Sequence, residues 1–308
     1  MIDFSYTGSG PYCYSNCLAM MLGEGAPPVT VIETVSGSPF GMQWVGGEPP
    51  YFDPYGWNPE IGIERALAVL GWTAEAGGGG PADAALERLT SSLARGPVMA
   101  GPIEMGYLHY QPGMAGPMGA DHYVIVLGIQ DDQVISHDPQ GYPFASLPLA
   151  DFVKAWQADT IAFGEPYAMR TNFKRIRNVG TGEAIAASIP DAVNWLRADL
   201  DHALPPGSLG NGDAALALAA SLEGGCEQGV YEHLVHFAIR VGARRAADAA
   251  TCLRETERAE AAAVMFRQAR LIGALQQSLV TGDERTAADT LRALAPTYGA
   301  LRAELQHG

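Results

Sequence analysis

The chain has 308 residues, a formal charge of −15 at pH 7 and a pI near 4.8, and 47% of its residues are hydrophobic. This apolar content excludes an intrinsically disordered protein, and the length predicts one large or two ordinary domains. The acidic charge excludes broad nucleic-acid binding, which requires a basic face, and no run approaches the roughly 20 apolar residues of a membrane helix.

The amino terminus and the cysteines predict a cytoplasmic protein with reduced thiols. Residues 1–10 contain an acid and no basic segment, which is unlike a signal peptide. In a chain of this length Cys13, Cys17, Cys226 and Cys252 do not indicate a disulfide framework, and no second Cys/His cluster lies at zinc spacing. We therefore expect no structural metal site.

The first 180 residues have the pattern of a mixed α and β domain. Helices are predicted where apolar residues recur at helical spacing, at 14–22, 59–70, 81–95 and 149–156. The second of these has Pro59 at its first position, after a capping Asn58. Strands are predicted where β-branched and apolar residues lie between turn signals, at 97–103, 122–129 and 133–138. Residues 37–59 are predicted to be a loop region rich in glycine, proline and aromatic residues.

The composition changes near residue 180, after which the chain is rich in Ala, Leu, Arg and Glu. Helical periodicity predicts five helices, at about 184–203, 211–223, 227–249, 252–279 and 283–305. We therefore predict a catalytic domain at 1–180 and a helical domain at 181–308. His233 and His236 are three residues apart on one helix, but no further ligands accompany them, which favours packing or surface exposure over a metal site.

Cys13 is the candidate nucleophile, because it lies where a Gly/Pro-rich loop at residues 8–11 becomes a helix. A helix N-terminus presents unpaired N–H groups and the positive end of the helix dipole, which stabilise a thiolate and can bind an oxyanion. The alternative is that Cys13 is a buried apolar residue, the commonest role of cysteine. Cys17, one turn further on, lies on the apolar face and is expected to belong to the core.

A thiol nucleophile needs a base, and the base needs an acceptor that orients it. His122 opens one predicted strand and Asp138 closes the next, so a hairpin would bring them onto neighbouring strands. A two-residue turn at 131–132 places Asp138 opposite Ile125, roughly 10 Å short of His122. A bulge or a longer loop must therefore close the gap.

Two other histidines, His109 and His137, are alternative bases. His137 is the weaker alternative to His122, because neighbouring residues of a strand point to opposite faces and His137 precedes Asp138. Asp138 itself has a structural alternative, since it could cap the turn at 139–141.

Three segments resemble papain-like cysteine enzymes: 10–20 (GPYCYSNCLAM), 121–128 (DHYVIVLG) and 138–139 (DP). The chain most resembles the butirosin-biosynthesis acyltransferase family within that group, in the length of the N-terminal domain and in the loop at 38–41 (SPFG). Members of that family often continue into a helical domain of unknown function that is similar to residues 181–308.

The resemblance implies an α+β papain-like fold followed by an all-helical domain, with Cys13, His122 and Asp138 as the catalytic triad. It further implies transfer of an acyl group, through acyl-S-Cys13, from an acyl carrier protein thioester to a small-molecule acceptor, as in natural-product biosynthesis. No cofactor is expected beyond the phosphopantetheine arm that presents the substrate. The alternatives are a thioester-releasing cyclase, a cysteine peptidase or amidase, and a non-catalytic binding module.

The oxyanion donor is the main departure from the papain-like pattern. Papain-like enzymes commonly have a Gln six residues before the nucleophile, and in this chain that residue is Thr7. Thr7, Ser9 or a backbone N–H is therefore the candidate donor.

Two further groups are candidates for substrate binding. Four aromatic side chains of the 37–59 region are candidates for a pocket wall, the alternative being that they cover the core: Phe40, Trp44, Tyr51 and Trp57. Three residues form a basic cluster that could meet a phosphopantetheine phosphate or an acidic carrier protein, the alternative being a solvated surface: Lys174, Arg175 and Arg177.

Overall fold

The structure, a computed structural model, describes residues 7–8, 10–46, 48–198 and 204–307. The fold is α+β, and its C-terminal region is helical. The chain divides into two compact units that are both discontinuous in sequence. The first unit is drawn from Met1–Val29 and Gly71–Asn178, and the second from Thr30–Leu70 and Val179–Gly308.

Strands and α-helices are numbered separately in chain order. The strands are β1 (Gln43–Trp44), β2 (Trp72–Gly77), β3 (Val98–Glu104), β4 (Asp121–Gln130), β5 (Gln133–Asp138), β6 (Tyr142–Pro148), β7 (Met169–Arg175) and β8 (Leu209–Gly210). The α-helices are α1 (Cys13–Leu22), α2 (Val29–Val35), α3 (Pro59–Leu70), α4 (Ala82–Leu93), α5 (Leu149–Gln157), α6 (Thr181–Trp195), α7 (Asn211–Glu223), α8 (Gln228–His233), α9 (Ile239–Glu255), α10 (Ala259–Val280) and α11 (Glu284–His307). A π-helix, Leu234–Ala238, lies between α8 and α9.

The first unit is built on a six-stranded antiparallel sheet with the order β2-β7-β3-β4-β5-β6. The central strand β3 is buried along its whole length, and β4 is buried through most of it. Sequence analysis found these two strands and β5, but not β2, β6 or β7. Strand β6 is an edge strand that contains Pro143 and Pro148, which fits the restriction of proline to sheet edges.

Helices α4 and α5 cover one side of the sheet, and helix α1 packs against β4. The core of this unit is apolar and includes two aromatic side chains that are fully buried, Phe152 and Trp156. Trp156 also donates from Nε1 to the Ala168 carbonyl at 2.7 Å, so its one polar atom is satisfied. The sheet therefore supplies a rigid base for the residues at the ends of β4 and β5.

The second unit contains α6–α11 together with the segment 30–70. Strand β1 pairs with β8 in antiparallel register, Gln43 opposite Gly210. Helix α3 begins at Pro59 as predicted, and its Asn58 cap accepts a hydrogen bond from the Ile61 N–H at 3.1 Å. The helix predicted at 227–249 is present as a continuous helical run, Gln228–Glu255, made of α8, the π-helix and α9. The helix predicted at 184–203 ends earlier, at Trp195, and only positions 199–203 of that prediction lie outside the described residues.

The segment 30–70 was assigned to the catalytic domain by sequence analysis, whereas the structure groups it with the C-terminal helices. The physical reason is a buried ionic cluster. Arg245 donates from Nε to Glu33 Oε1 at 2.7 Å and from Nη1 to Asp53 Oδ2 at 3.1 Å. Gln43 donates to Asp53 and Ser38 donates to Glu33, each at 2.7 Å. The compositional change near residue 180 marks only the last of the points at which the chain passes between the units.

No helix in the described parts of the chain is both long enough and apolar enough to cross a membrane.

Candidate active site

Cys13 is the first residue of α1, as the sequence predicted within one residue. The preceding residue, Tyr12, has the left-handed backbone conformation (φ 81°, ψ 47°), which is uncommon for a residue with a side chain. The Asn16 side chain holds this turn by donating to the carbonyls of Pro11 at 3.2 Å and Tyr12 at 2.9 Å. The turn and the helix therefore fix the direction of the Cys13 side chain, which is half-buried.

A β-bulge brings His122 and Asp138 to the same face of the sheet. Residues 131 and 132 both have positive φ and form the two-residue hairpin turn, so the pairing begins as expected. The register then shifts between Val126 and Gly128. Continuing the shifted register puts Asp138 level with Val124, two residues from His122 rather than three. Because side chains alternate between faces, this change of one residue moves Asp138 to the face of His122.

His122 and Asp138 form a buried hydrogen-bonded pair. His122 Nε2 lies 2.8 Å from Asp138 Oδ1, and the two side chains are 1% and 0% exposed. Because Nε2 is used in this contact, Nδ1 is the ring nitrogen that remains for the thiol. Of the two ways of closing the gap that the sequence left open, a bulge or a longer loop, the structure has the bulge, and the expected contact between His122 and Asp138 is present.

Asp138 accepts three further hydrogen bonds, two of them from residues that sequence analysis did not single out. The Gln140 N–H donates to Oδ1 at 2.7 Å, so Asp138 also caps the turn that follows it. Tyr110 Oη donates to Oδ2 at 2.9 Å, and Gln111 Nε2 donates to Oδ2 at 2.6 Å. Burial raises the pKa of Asp138, but the charge of His122 and these donors outweigh burial and leave it below its usual value.

The thiol and the imidazole interact directly. Burial raises the pKa of Cys13, and although a hydrogen bond with His122 and the charge of that ring oppose the effect, the thiol pKa stays above its ordinary value. Burial lowers the pKa of His122, but the charge and hydrogen bond of Asp138, with a contribution from Cys13, raise it to about 10. Burial therefore outweighs the stabilisation of the thiolate that was expected from the helix N-terminus.

The alternative residues occupy structural positions. Cys17 is fully buried, and burial together with the nearby charges of Cys13 and Asp138 raises its pKa well above the ordinary value. His137 accepts a hydrogen bond from the Phe144 N–H at 3.1 Å, and the two rings pack edge to face. His109 is exposed, with Nδ1 3.6 Å from Asp151 Oδ2. The geometry thus separates His122 from both alternative bases.

The structure describes one of the two side chains that the sequence offered as oxyanion donors. Thr7 is half-buried in an irregular segment, and Ser9 lies outside the described residues. The backbone offers another donor, because the first N–H groups of a helix have no acceptor within it. The N–H of Tyr14 faces the Cys13 sulfur, where its hydrogen bond lowers the thiol pKa.

The four aromatic pocket candidates all belong to the second unit. Phe40 and Trp57 are buried there, and Trp57 donates from Nε1 to the Ser36 carbonyl at 3.0 Å. Trp44 lies in β1, and Tyr51 packs edge to face against His233. Phe40 and Trp57 are therefore core residues, which is the structural alternative that the sequence left open.

The basic cluster lies at the end of β7 in the first unit. Arg175 lies over the Trp72 ring at 5.0 Å and donates to the Gly25 carbonyl at 2.5 Å, so it has a structural role. Lys174 and Arg177 are exposed. In the described parts of the chain, no group of three or more His, Cys, Asp or Glu side chains is arranged to hold a metal ion.

Comparison with known proteins finds one family match and one relative that is aligned over part of its length. Residues 205–306 match the family described as the YobF C-terminal domain, a range that contains none of the three site residues. The chain is also similar to Uncharacterized protein YobF of Bacillus subtilis (strain 168), with 36% identity over 162 residues. That alignment covers 51% of this chain and 52% of the relative, so the chain spans about half the length of the curated protein it matches.

Proposed function

We propose that the first unit is a papain-like catalytic domain and that the protein is a cysteine-dependent acyltransferase. It moves an acyl group from a carrier-protein thioester to an acceptor through an acyl-S-Cys13 intermediate. The observation that carries this proposal is the series of contacts from Asp138 through His122 to Cys13, at the first residue of a helix. The sequence resemblance to the butirosin-biosynthesis acyltransferases supports transfer as the reaction.

The reactive form arises when the Cys13–His122 pair loses its first proton, which leaves a thiolate beside an imidazolium. The thiolate attacks the thioester carbonyl and forms a new carbon–sulfur bond, while N–H groups at the start of α1 bind the oxyanion. The original carbon–sulfur bond then breaks, and His122 gives its proton to the departing pantetheine thiolate. The products of this half-reaction are acyl-S-Cys13, neutral His122 and a free carrier thiol.

The second half-reaction transfers the acyl group to an acceptor, for which an amine is the natural choice. The amine nitrogen attacks the acyl-S-Cys13 carbonyl, and neutral His122 takes the amine proton. The Cys13 thiolate leaves, which regenerates the thiolate–imidazolium pair. Asp138 remains ionised throughout, because it orients the ring and stabilises the imidazolium without taking the proton.

Recognition of the carrier is assigned to the exposed cations at the end of β7. Lys174 and Arg177 are exposed and can meet a phosphate or an acidic carrier surface, which a chain with a charge of −15 would otherwise repel. Arg175 is assigned to the fold instead, because its guanidinium is held by Trp72 and Gly25.

The test is mass spectrometry of the intact protein after incubation with acyl-pantetheine thioesters and with acyl-carrier protein. The wild-type chain should gain one acyl group, and Cys13→Ala should gain none. His122→Ala should slow adduct formation by roughly 10²–10⁴-fold, the usual loss for a general base. Cys17→Ala is the matched control, because it removes the neighbouring thiol without touching the proposed nucleophile.

Three outcomes distinguish the reaction classes. Faster discharge of the adduct by an amine than by water supports the transferase. Discharge into a ring without any acceptor identifies a cyclase that uses the same triad. Efficient peptide cleavage without an adduct from carrier thioesters would replace the proposal with a peptidase.

A further inference from the structure

The loop between β3 and β4, residues 105–120, makes hydrogen bonds to two buried carboxylates, those of Glu104 and Asp138. At its start Glu104 is 1% exposed, and its carboxylate accepts hydrogen bonds from the N–H groups of Gly106, Met118 and Gly119 at 2.9–3.1 Å and from the Thr160 hydroxyl. Burial raises the pKa of Glu104, but these donors outweigh it and lower the pKa below the ordinary value. Glu104 therefore fastens both ends of the loop.

The middle of this loop meets Asp138. Tyr110 and Gln111 donate to Oδ2, the carboxylate oxygen that His122 does not use. Gln111 is 4% exposed, so its contact is shielded from water. The loop itself is closely packed, since a Cβ on Gly106 would lie 1.8 Å from the Gly116 carbonyl oxygen.

We propose that Tyr110 and Gln111 are positioning residues that hold the Asp138 carboxylate against His122, and that Glu104 keeps their loop in place. This inference deepens the proposed function and rests on it. With Oδ1 bonded to His122 and Gln140 and Oδ2 bonded to the loop, the carboxylate has no free rotation about its terminal torsion. The imidazole is thus aligned before any substrate binds. A positioning residue acts by holding a catalytic group in this reactive orientation.

The charged and titratable groups around the reacting pair come from four elements. Asp138 of β5 contacts His122, Tyr110 of the loop contacts Asp138, and Cys17 of α1 lies near Cys13 and Asp138. Cys13 also faces Asp121, whose negative charge raises the thiol pKa. Without a donor on Oδ2 the Asp138 carboxylate can rotate away from His122, which lengthens the contact to the ring and weakens the stabilisation of imidazolium beside the thiol. The Cys13 thiolate should then form at higher pH.

The experiment measures the rate of iodoacetamide alkylation of Cys13 against pH in the full chain. Gln111→Met keeps the length of the side chain and removes the donor, and Tyr110→Phe removes a single oxygen. Each should move the midpoint of the alkylation profile to higher pH and slow the first-order acylation step about ten-fold with little change in KM. Met114→Leu, in the same loop, exchanges two side chains that carry no hydrogen-bond donor and should leave the midpoint in place.

Glu104→Gln tests the fastening of the loop separately. The amide nitrogen would face backbone donors, so the loop should be released and the midpoint should move in the same direction as in Gln111→Met. A loss of folding in Gln111→Met would leave Tyr110→Phe, the smaller change, to decide the inference.

The outcomes separate this inference from the proposed function. If Gln111→Met and Tyr110→Phe are folded and keep the wild-type midpoint and acylation rate, the positioning role is wrong even where the wild type forms its acyl adduct. If the midpoints move but the wild type forms no adduct from any carrier thioester, the positioning of Asp138 stands and the acyltransferase proposal fails.

Discussion

In the first unit Asp138 is bonded to His122, and in the second unit Glu33 and Asp53 are bonded to Arg245, so an ionic network is buried in each unit. The two networks differ in their cation. An imidazolium can give up its proton near neutral pH, whereas a guanidinium cannot in a protein. The cation of the His122 network can therefore change its charge by releasing a proton, whereas the Arg245 guanidinium keeps its charge and serves only to hold Glu33 and Asp53.

The largest expected effect on stability comes from removing the positive charge of Arg245. Arg245→Met leaves Glu33 and Asp53 buried without a counter-charge, which should destabilise the second unit by about 3–5 kcal/mol. Each unit contains a fully buried cysteine that can report its opening, Cys17 in the first and Cys252 in the second. Urea titration with pulsed alkylation should show earlier labelling of Cys252 in Arg245→Met, with little change at Cys17. Earlier labelling of Cys17 alone would contradict the assignment.

The next effect concerns pH, and it should be confined to the first unit. His122 has a folded pKa of about 10 against an ordinary value of 6.5, so its stabilisation is complete below about pH 6.5 and is lost as pH rises through 10. The raised pKa of Cys13 acts in the same direction above pH 9. Between pH 6.5 and 10 the free energy of unfolding of the first unit should therefore fall by a few kcal/mol, at about 1.4 kcal/mol per pKa unit. Cys17 should then be labelled at lower urea concentrations. His122→Gln should flatten this dependence, and a wild-type chain without it would refute the assignment.

A smaller effect is expected at Tyr298 in the second unit. Its hydroxyl is buried, finds no hydrogen-bond partner among the described residues, and has a pKa raised by burial and by the charge of Asp53. An unsatisfied buried hydroxyl costs stability, so Tyr298→Phe should stabilise the second unit by about 1 kcal/mol. The same Cys252 labelling assay measures it. A destabilised variant would mean that the hydroxyl is in fact bonded in solution.

The smallest effect is expected at His109, the alternative base on the surface. Its ion pair with Asp151 is exposed, so His109→Gln should change stability by less than about 0.5 kcal/mol. The alkylation profile of Cys13 should be unchanged, since His122 is the ring that contacts the thiol. A shifted profile in this variant would mean that His109 also influences the Cys13 thiol.

The parts of this fold that sequence could predict are those with strong local signals. The cap at Asn58 and Pro59 gave the start of α3, and the β-branched runs gave β4 and β5. Strand β2 (WTAEAG) lacks such a run, and β7 (MRTNFKR) is largely polar. Pairing with neighbouring strands, and not the strand propensity of their own residues, therefore decides that these segments are strands.

The site shows the same limit at the level of single residues. Cys13, His122 and Asp138 lie at the ends of predicted elements, and the resemblance to papain-like enzymes singled them out as a set. Counting the residues between His122 and Asp138 showed that a bulge or a longer loop was needed. Tyr110 and Gln111 lie in a loop whose path depends on hydrogen bonds between Glu104 and backbone N–H groups at both ends of the loop. No residue pattern in the sequence indicates these bonds. Likewise the segment 30–70 belongs with distant helices through Arg245, which is 212 positions from Glu33 and 192 from Asp53.

The interruption of the first unit by residues 30–70 constrains the order of folding during synthesis. A ribosome releases the chain from the amino terminus, so α1 emerges long before β4 and β5. Residues 30–70 carry apolar side chains, including Phe40 and Trp57, and belong to a unit whose other part, residues 179–308, is synthesised last. Arg175 bridges Gly25 and Trp72, which brings the two ends of the interruption together once β7 is complete. The first unit can therefore close before residues 30–70 have met the C-terminal helices of their own unit.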